Sequence, residues 1–378
     1  MTDRERFRAT FHYQERDRCP ICDFGFWEET LLVWESQGLP RGVNTDEFFG
    51  MDPWWNYAPV AHGLFPAFPP ETLEEGEDYR IVRDEEGVIS KVSKRGTSIP
   101  QFLDWTLKDR ESWQLFKARL DPTTPGRYPA DWQERVASYE PRDYVLGIHC
   151  GSFYGWIRNW MGLENLSLLL YDDRGLVEEM VETVATCIIE SIRPALESGV
   201  RFDYAMIWED IAFRYGPMIS PALFRQIVVP HYRRLTEMLY AHGVDVIMVD
   251  CDGKIDELVP CWLDAGVNCM FPLEIGTWQA DPYQFRREYG KDCLLMGGVD
   301  KHILARDRAA IDAMIRYLTP LVEEGGYIPT PDHRVPPDVP LENYLYYLDR
   351  IKEVWGKGVQ VRPTGRIRSD ATSEFQTR

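Results

Sequence analysis

Six short apolar runs in this chain each end in acidic or histidine side chains. Carboxylates and imidazoles can bind a metal ion or carry protons, so several of them gathered at one place would form a reactive site. Apolar runs of this length, closed by polar residues, are typical of buried strands. The runs and the residues that close them are YVLGIHC (His149), YAMIWED (Glu209 and Asp210), VDVIMVDCD (Asp250 and Asp252), VNCMFPLE (Glu274), CLLMGGVD (Asp300) and GGYIPTPDH (Asp332 and His333).

Asp250 and Asp252 are separated by a single residue at the end of the third run. Residues two apart on an extended strand point to the same side, so this spacing presents two carboxylates together. Such a pair either binds a cation or repels until the pKa of one carboxyl rises. Gly253 then permits a sharp turn into the next helix. The alternative is that one carboxylate, Asp252 more readily than Asp250, only caps that helix.

Glu209 and Asp210 form a second acidic pair. In a β/α barrel, one of the two carboxylates would face the barrel axis and the other the loop. Arg214 follows in the next loop and could neutralise either carboxylate. A salt-bridged structural role is therefore the alternative to a catalytic one.

His333 lies between Asp332 and Arg334 in a loop that prolines make rigid. An imidazole at this point could ligate a metal, carry a proton or bind a carboxylate. A hydrogen-bonded loop histidine without a catalytic role is the alternative. His149 is a weaker candidate, because its ring could simply pack inside the fold.

The elements that must position these groups alternate regularly from residue 143 onward. Alternation of short strands with amphipathic helices predicts a parallel α/β sheet, and in a β/α barrel the carboxyl ends of all strands meet on the face that carries the chemistry. No GxGxxG follows the first strand, which argues against a dinucleotide-binding fold. Strand-like runs begin near residues 144, 203, 244, 268, 293 and 326, and helical patterns cover about 155–171, 174–198, 221–242, 254–265, 281–289, 307–324 and 341–355.

The region before residue 140 is a mixed extension that must also supply the early barrel strands, since fewer than eight are visible after it. Apolar and polar residues alternate on both sides of Glu86-Gly87, which predicts a β-hairpin over 79–95. A Pro-rich loop offers Trp54, Trp55 and Tyr57 to line a pocket, or equally to plug the bottom of the barrel. We expect one domain over 1–356, with 1–140 as its N-terminal extension, and a polar, disordered tail over 357–378.

The composition limits which binding partners and which cellular compartment are expected. A net charge of −19 over 378 residues opposes binding to nucleic acid or to an anionic membrane. The chain shows neither a signal peptide nor a bilayer-spanning stretch. Its eight scattered cysteines indicate a reducing compartment, so a cytoplasmic location is expected. The oligomeric state stays open.

Several segments together resemble the uroporphyrinogen decarboxylase superfamily, which includes the decarboxylase itself and the corrinoid-dependent methyltransferases. This resemblance covers most of residues 1–356 and implies a TIM-type (β/α)8 barrel with an N-terminal helical and hairpin extension. The segments that carry it are RFRATFHYQERDRCPI, GSFYGWIRNWMGLENLSLLLYDD, WEDIAF, SPALFRQIVVPHYRRL, VDCDGKIDELVPCWLDAGVNCMFPLE, MGGVDK and GGYIPTPDHRVPPDVPLENY.

The resemblance also implies a metal site. The zinc methyltransferases of the superfamily place an H-x-C pair where this chain has Asp250-Cys251-Asp252, and a third cysteine where it has His333. We therefore expect Asp250, Asp252 and His333, with Glu209 as a further ligand, to bind a divalent cation, either weakly held zinc or a harder ion. The decarboxylase differs in another way: its RQAGR motif is missing here, and Asp332 and Arg334 replace the glycines of its GHG motif.

Three functions follow as hypotheses. The first is a metal-dependent methyltransferase or demethylase that acts on a methylated small molecule, with a corrinoid carried by a partner protein. The second is a metal-independent decarboxylase or lyase, in which Glu209 or Asp210 is the acid and His333 with Arg214 or Arg334 holds an anionic substrate. The third is a ligand-binding protein without activity. The predicted catalytic residues are Glu209, Asp210, Asp332 and His333, and the predicted substrate-binding residues are Trp54, Trp55, Tyr57, His149, Arg214, Glu274 and Arg334.

Overall fold

A computed structural model describes residues 1–94 and 99–357. Apart from its first residue, the predicted tail over 357–378 lies outside the described residues. The chain forms two compact units. Unit 1 comprises residues 1–54, 143–145 and 272 onward, and unit 2 comprises residues 55–142 and 146–271.

The strands fall into an antiparallel group before residue 110 and a parallel group after residue 146, with a two-stranded ribbon between two of the parallel strands. They are β1 (Glu71–Glu75), β2 (Tyr79–Arg83), β3 (Val88–Ser93), β4 (Gln101–Trp105), β5 (Gly147–His149), β6 (Tyr204–Trp208), β7 (Ala212–Phe213), β8 (Gly216–Pro217), β9 (Ile247–Asp250), β10 (Cys269–Leu273), β11 (Leu294–Val299) and β12 (Tyr327–Pro331).

Helices precede, separate and follow the parallel strands. No helix among the described residues is both long and apolar enough to cross a bilayer. The helices are α1 (Asp3–Phe11), α2 (Glu28–Ser36), α3 (Thr45–Phe49), α4 (Arg110–Lys117), α5 (Trp132–Ser138), α6 (Gly155–Met161), α7 (Leu163–Asp172), α8 (Arg174–Glu197), α9 (Pro221–Ile227), α10 (Val229–Ala241), α11 (Val259–Asp264), α12 (Ile275–Trp278), α13 (Pro282–Tyr289), α14 (Lys301–Leu304), α15 (Arg308–Glu324) and α16 (Leu341–Trp355).

In unit 2, β5, β6, β9 and the first residues of β10 lie side by side and run parallel. The register pairs Ile148 with Ala205 and Met206 with Met248. These four residues are buried, as expected for parallel strands that are covered on both faces. The same unit carries β1–β4 as an antiparallel sheet, in which β2 and β3 form a hairpin with its turn at Glu86-Gly87.

In unit 1, β11 and β12 pair in parallel from Leu295 with Tyr327 to Val299 with Pro331. Every residue of both strands is buried. The long helices α15 and α16 bury apolar stripes, including Leu318 and Leu348. α15 packs against both β12 and α16, so this apolar layer covers β12.

The early barrel strands expected before residue 140 are reduced to two parallel bridges. Tyr57 pairs with Gly147 in unit 2, and Phe26 pairs with Val335 in unit 1. Each bridge is held by two backbone hydrogen bonds, such as Gly147 N to Asn56 O at 2.8 Å and Val335 N to Gly25 O at 3.0 Å. A bridge of this length leaves almost no periodic signal in the sequence.

Two predicted helices are each broken into two. The pattern over 155–171 is interrupted at Gly162, whose φ of +85° ends α6 and begins α7. A side chain there would lie 2.8 Å from the Trp105 ring, so both conformation and space require glycine. The pattern over 221–242 divides at Val228, and Pro230 occupies the first turn of α10, where its missing N–H costs nothing.

Candidate active site

Each parallel strand ends at a titratable side chain. β5 ends at His149 and β9 at Asp250. The other four strands, β6, β10, β11 and β12, are followed at once by Glu209, Glu274, Asp300 and Asp332. Parallel strands present their carboxyl ends at the same edge. Within each unit these groups therefore share an edge: His149, Glu209, Asp210, Asp250 and Asp252 in unit 2, and Glu274, Asp300, Asp332 and His333 in unit 1.

Glu209 is completely buried and accepts five hydrogen bonds. Burial raises the pKa of its carboxyl, and the hydrogen-bond donors oppose that rise. Because three of the donors are backbone N–H groups that precede or open α6, Glu209 anchors this loop to the end of β6. The donors are the Ser152 hydroxyl at 2.9 Å, the backbone N–H groups of residues 153, 154 and 155 at 2.9, 3.2 and 2.7 Å, and the Tyr232 hydroxyl.

Asp210 adopts a left-handed conformation with φ of +46°. Such a backbone costs about 1–3 kcal/mol in a non-glycine residue and tends to occur at functional sites. Arg158 donates to its carboxylate at 3.3 Å. Arg214, which the sequence offered as a partner for this pair, instead holds its guanidinium over the exposed ring of Tyr215, 5.7 Å from the centroid. Arg158 gave no signal in the sequence because its helix separates it from the strand-end residues.

Asp250 and Asp252 flank Cys251 as the strand alternation predicts. The Cys251 thiol is buried, which raises its pKa well above the usual range, and its sulfur accepts from Ile211 N at 3.3 Å. Gly253, with φ of +86°, makes the predicted turn, and a Cβ at this position would lie 2.6 Å from the Ala212 carbonyl oxygen.

Aromatic residues stand beside Asp250 on the neighbouring strands of unit 2. Phe271 and Trp208 are its neighbours on the adjoining strands. The Trp55 ring lies 5.6 Å from the Phe271 ring and 6.3 Å from the Tyr57 ring. The predicted pair Trp55 and Tyr57 is thus together in this unit. Trp54 belongs to unit 1, where its indole donates to the Asp23 carbonyl at 3.1 Å.

His149 forms a pair with His62, a residue that the sequence did not single out. Nε2 of His62 and Nδ1 of His149 lie 2.9 Å apart. Burial lowers the pKa of His62 to about 4 and that of His149 to about 3. Both imidazoles are therefore neutral at physiological pH.

Glu274 and Asp332 share a lysine in unit 1. Lys301 Nζ lies 3.2 Å from Asp332 and 3.6 Å from Glu274. Asp332 also accepts from the backbone N–H groups of Gly276 at 2.7 Å and Lys301 at 3.1 Å. Burial raises the pKa of Asp332, and Lys301 opposes the rise. The segment MGGVDK contains Lys301, but nothing in its spacing indicated this pairing.

His333 is held between two aromatic rings of the N-terminal segment. The Phe24 ring lies 5.3 Å away edge-on, and the Trp27 ring stacks at 5.6 Å. Arg334 is exposed and lies over the Trp27 ring, with its guanidinium carbon 5.4 Å from the ring centroid. An imidazole and a guanidinium therefore lie on one aromatic surface in unit 1.

Asp23, one residue before Phe24, is the acid that the sequence reasoning missed. Burial raises the pKa of its carboxyl to about 7, although the residue keeps part of its surface accessible. The Tyr344 hydroxyl and the Gly25 N–H, the latter at 2.7 Å, donate to it. These two donors favour the ionised form, so desolvation is the larger effect. The CDFG segment carries no motif that would have indicated this.

A family model described as uroporphyrinogen decarboxylase (URO-D) matches residues 157–354, just over half of the chain. This chain belongs to the uroporphyrinogen decarboxylase family. The members of that family are enzymes, and their TIM-type barrel confirms the fold class expected from the sequence. The match covers the strand-end groups from Glu209 to His333, and it leaves His149 and the N-terminal segment with Asp23 outside.

Two curated sequences and one solved structure are similar to this chain. Two uroporphyrinogen decarboxylases, from two strains of Thermus thermophilus, are each 25% identical over 191 residues, which is 49% of this chain and 51% of theirs. The chain therefore spans about half the length of the curated relatives it matches. The solved structure of a methyltransferase from Methanosarcina mazei aligns with a TM-score of 0.58 at 15% identity, over 93% of this chain and 98% of that one. At this identity the likeness shows the fold alone.

The metal site implied by the family resemblance stays a prediction. Within residues 1–94 and 99–357, no three His, Cys, Asp or Glu side chains are grouped closely enough to hold a metal ion. Asp250 and Asp252 alone offer two oxygen ligands, whereas a catalytic zinc site uses three protein ligands. The residues of unit 2 by themselves therefore do not fit the zinc site of the methyltransferases.

Proposed function

We propose that this chain is a decarboxylase or lyase that protonates a small carboxylated substrate. The observation that carries the proposal is Asp23, whose buried carboxyl has a pKa of about 7 although the residue as a whole keeps part of its surface accessible. A general acid works best when its pKa is close to the working pH. Asp23 is half protonated near pH 7, so it can release a proton and regain it within each turnover.

In this proposal the loop of His333 and Arg334 holds the substrate anion. Val335 N donates to Gly25 O at 3.0 Å, which ties the Asp23 segment to the loop of His333 and Arg334. A guanidinium can hold a carboxylate through two parallel hydrogen bonds. Trp27, which contacts both His333 and Arg334, offers an apolar surface for the rest of the substrate.

The proposed step balances without a cofactor. The bond between the substrate carbon and its carboxylate breaks, carbon dioxide leaves, and the electron pair stays on the substrate carbon. Asp23 transfers its proton to that carbon, and the resulting carboxylate takes a proton from solvent. In a lyase reaction the same acid would protonate the leaving group instead.

The test uses a set of aromatic and heteroaromatic carboxylic acids, with carbon dioxide release and product mass as readouts. Asp23→Asn is expected to lower the rate by about 10²–10⁴-fold, which is the usual contribution of a general acid. Asp349→Asn, the same change on the exposed side of α16 in the same unit, is the matched control. Full activity of Asp23→Asn, or a rate independent of pH between 6 and 8, would contradict the proposal.

Methyl transfer to or from a corrinoid on a partner protein is a second candidate. The specific observation in its favour is the aromatic cluster of Trp55, Tyr57 and Phe271, because Phe271 is the strand neighbour of Asp250 and such a cluster suits a flat methylated substrate. A divalent metal, zinc or a harder ion, would have to find ligands beyond Asp250 and Asp252. The experiment is a spectral assay with methylated substrates and reduced cobalamin. An unchanged cobalamin spectrum, with decarboxylation detected in parallel, would exclude this candidate.

A further inference from the structure

His62 and His149 form a chain of hydrogen bonds that begins at a backbone carbonyl. Nδ1 of His62 lies 2.7 Å from the Val60 oxygen, and Nε2 of the same ring lies 2.9 Å from Nδ1 of His149. The Gly151 N–H also points at His149 Nδ1, at 3.1 Å. A neutral imidazole has one N–H and one acceptor nitrogen, so these contacts restrict which nitrogen of each ring carries the proton.

Only one combination of neutral tautomers avoids placing two acceptors against each other. A carbonyl oxygen can only accept, so the 2.7 Å contact requires the proton of His62 on Nδ1. Its Nε2 is then an acceptor and needs a donor at 2.9 Å, which is the Nδ1–H of His149. The cost is that the Gly151 N–H, 3.1 Å from Nδ1, then faces a second donor there instead of an acceptor. The opposite tautomer of His149 would keep that contact but bring two lone pairs together at 2.9 Å in a desolvated place.

We propose that His62 holds His149 in its Nδ1–H tautomer, so that the unprotonated Nε2 of His149 accepts a hydrogen bond from a donor group of a bound small molecule. His149 is the binding residue and His62 is its positioning residue. The ligand group is a hydroxyl, an amide N–H or an ammonium. A carboxylate or a phosphate dianion is excluded at this point, because it could only bring another acceptor to Nε2.

The surroundings keep both rings neutral and leave Nε2 of His149 available. Burial lowers the pKa of both histidines, and the nearby Arg127 lowers that of His62 further. The Tyr57 ring meets His149 edge-on at 5.4 Å, and the Trp156 ring stacks on His62 at 5.7 Å. Both histidines keep part of their surface accessible, and Nε2 of His149 makes no hydrogen bond to any residue in the described ranges.

The place of His149 makes this acceptor a binding position. It is the last residue of β5, at the edge where the strands of unit 2 present their other polar groups. The inference does not rest on the proposed decarboxylation, because it concerns only the tautomer and the polarity of one ring nitrogen. A ligand bound here would have its donor group at His149 and an aromatic edge, that of Tyr57, beside it.

The decisive experiment is two-bond ¹⁵N–¹H correlation on the full chain labelled at histidine, at pH 7, with His149 assigned from a His149→Gln sample. We expect the pattern of the Nδ1–H tautomer for His149, with Nε2 at the shift of an unprotonated nitrogen. A dominant Nε2–H tautomer, or a protonated ring at pH 7, would overturn the proposal. The tautomer is read from the wild-type protein, and the His149→Gln sample serves only to assign its signal.

Two variants of His62 then separate positioning from packing. His62→Gln retains an acceptor oxygen for His149 and a donor for the Val60 carbonyl, so the His149 tautomer should persist. His62→Leu removes the acceptor, and the Nε2–H tautomer should appear. His242→Gln, on a histidine outside this pair, is the control. An unchanged His149 tautomer in a folded His62→Leu protein would contradict the role given to His62.

Ligand polarity is tested with phenol and benzoate, which share a ring and differ in the hydrogen-bonding group. Phenol should shift the Nε2 resonance of His149 in a saturable manner, and benzoate at equal concentration should leave it in place. His62→Leu should weaken phenol binding about threefold or more, the factor that one neutral hydrogen bond supplies. Saturable binding of benzoate at this nitrogen without phenol binding would refute the assigned ligand class.

Discussion

Replacing Asp23 by asparagine should remove a pH-dependent loss of stability. The pKa of Asp23 rises from its usual 3.8 to about 7 because burial penalises the charged form. Each pKa unit corresponds to about 1.36 kcal/mol, so holding the ionised carboxylate costs the folded state about 4 kcal/mol. Since the residue keeps part of its surface accessible, this figure is an upper bound.

The direction of this pH dependence follows from proton binding in the folded and the unfolded state. Below about pH 4 the carboxyl is protonated both folded and unfolded, and its contribution is fully present. As pH rises, the unfolded chain ionises Asp23 first, so the free energy of unfolding falls until pH reaches about 7 and then stays level. An asparagine resembles the protonated acid, and it should show no such fall.

The assay is urea unfolding of both proteins from pH 4.5 to pH 8. The two free energies of unfolding should agree within about 1 kcal/mol at pH 4.5, and the wild type should lose about 3 kcal/mol relative to Asp23→Asn by pH 8. Asp349→Asn should run parallel to the wild type. A difference that is constant over this range would mean that Asp23 titrates normally, and the proposed acid would then lack its physical basis.

Three further substitutions test the contacts at the strand ends, with urea unfolding as the measurement. Glu209→Gln places an amide NH2 against backbone N–H donors, so it should lower the free energy of unfolding by about 3 kcal/mol or more. An unchanged urea midpoint would contradict the anchoring role of Glu209. Lys301→Met leaves Asp332 without its cation and should cost about 3–5 kcal/mol at pH 8. Burial already raises the pKa of Asp332, so its carboxyl should take up a proton toward pH 4 and the loss should become smaller. Equal losses at pH 8 and pH 4 would refute the pairing of Lys301 with Asp332. Gly162→Ala should cost about 1–3 kcal/mol because of its positive φ and the nearby Trp105 ring, and a neutral effect would mean that the helix break is not strained.

The strand ends could be predicted from the sequence because the hydrophobic pattern that marks them is local. An apolar run of five residues followed by Glu209 or Glu274 defines a buried strand and its end without any knowledge of its neighbours. The alternation of these runs with amphipathic helices predicted the parallel fold, and the fold class is confirmed. The predicted roles of the strand-end residues stay predictions.

The N-terminal barrel strands could not be read in the same way. The bridges at Phe26 and Tyr57 comprise one paired residue each, which is too short for any periodicity. Their positions are set by the strands they join and not by their own sequence preferences.

The sequence by itself determined where the parallel strands end and which titratable side chains stand there, because hydrophobic periodicity is encoded residue by residue along the chain. Only the tertiary structure decided which titratable groups have perturbed pKa values and which partners they meet. The raised pKa of Asp23 and the hydrogen bond of His62 to His149 depend on desolvation and on partners 321 and 87 residues away. Burial and long-range hydrogen bonds arise from packing, and no local pattern in the sequence encodes them.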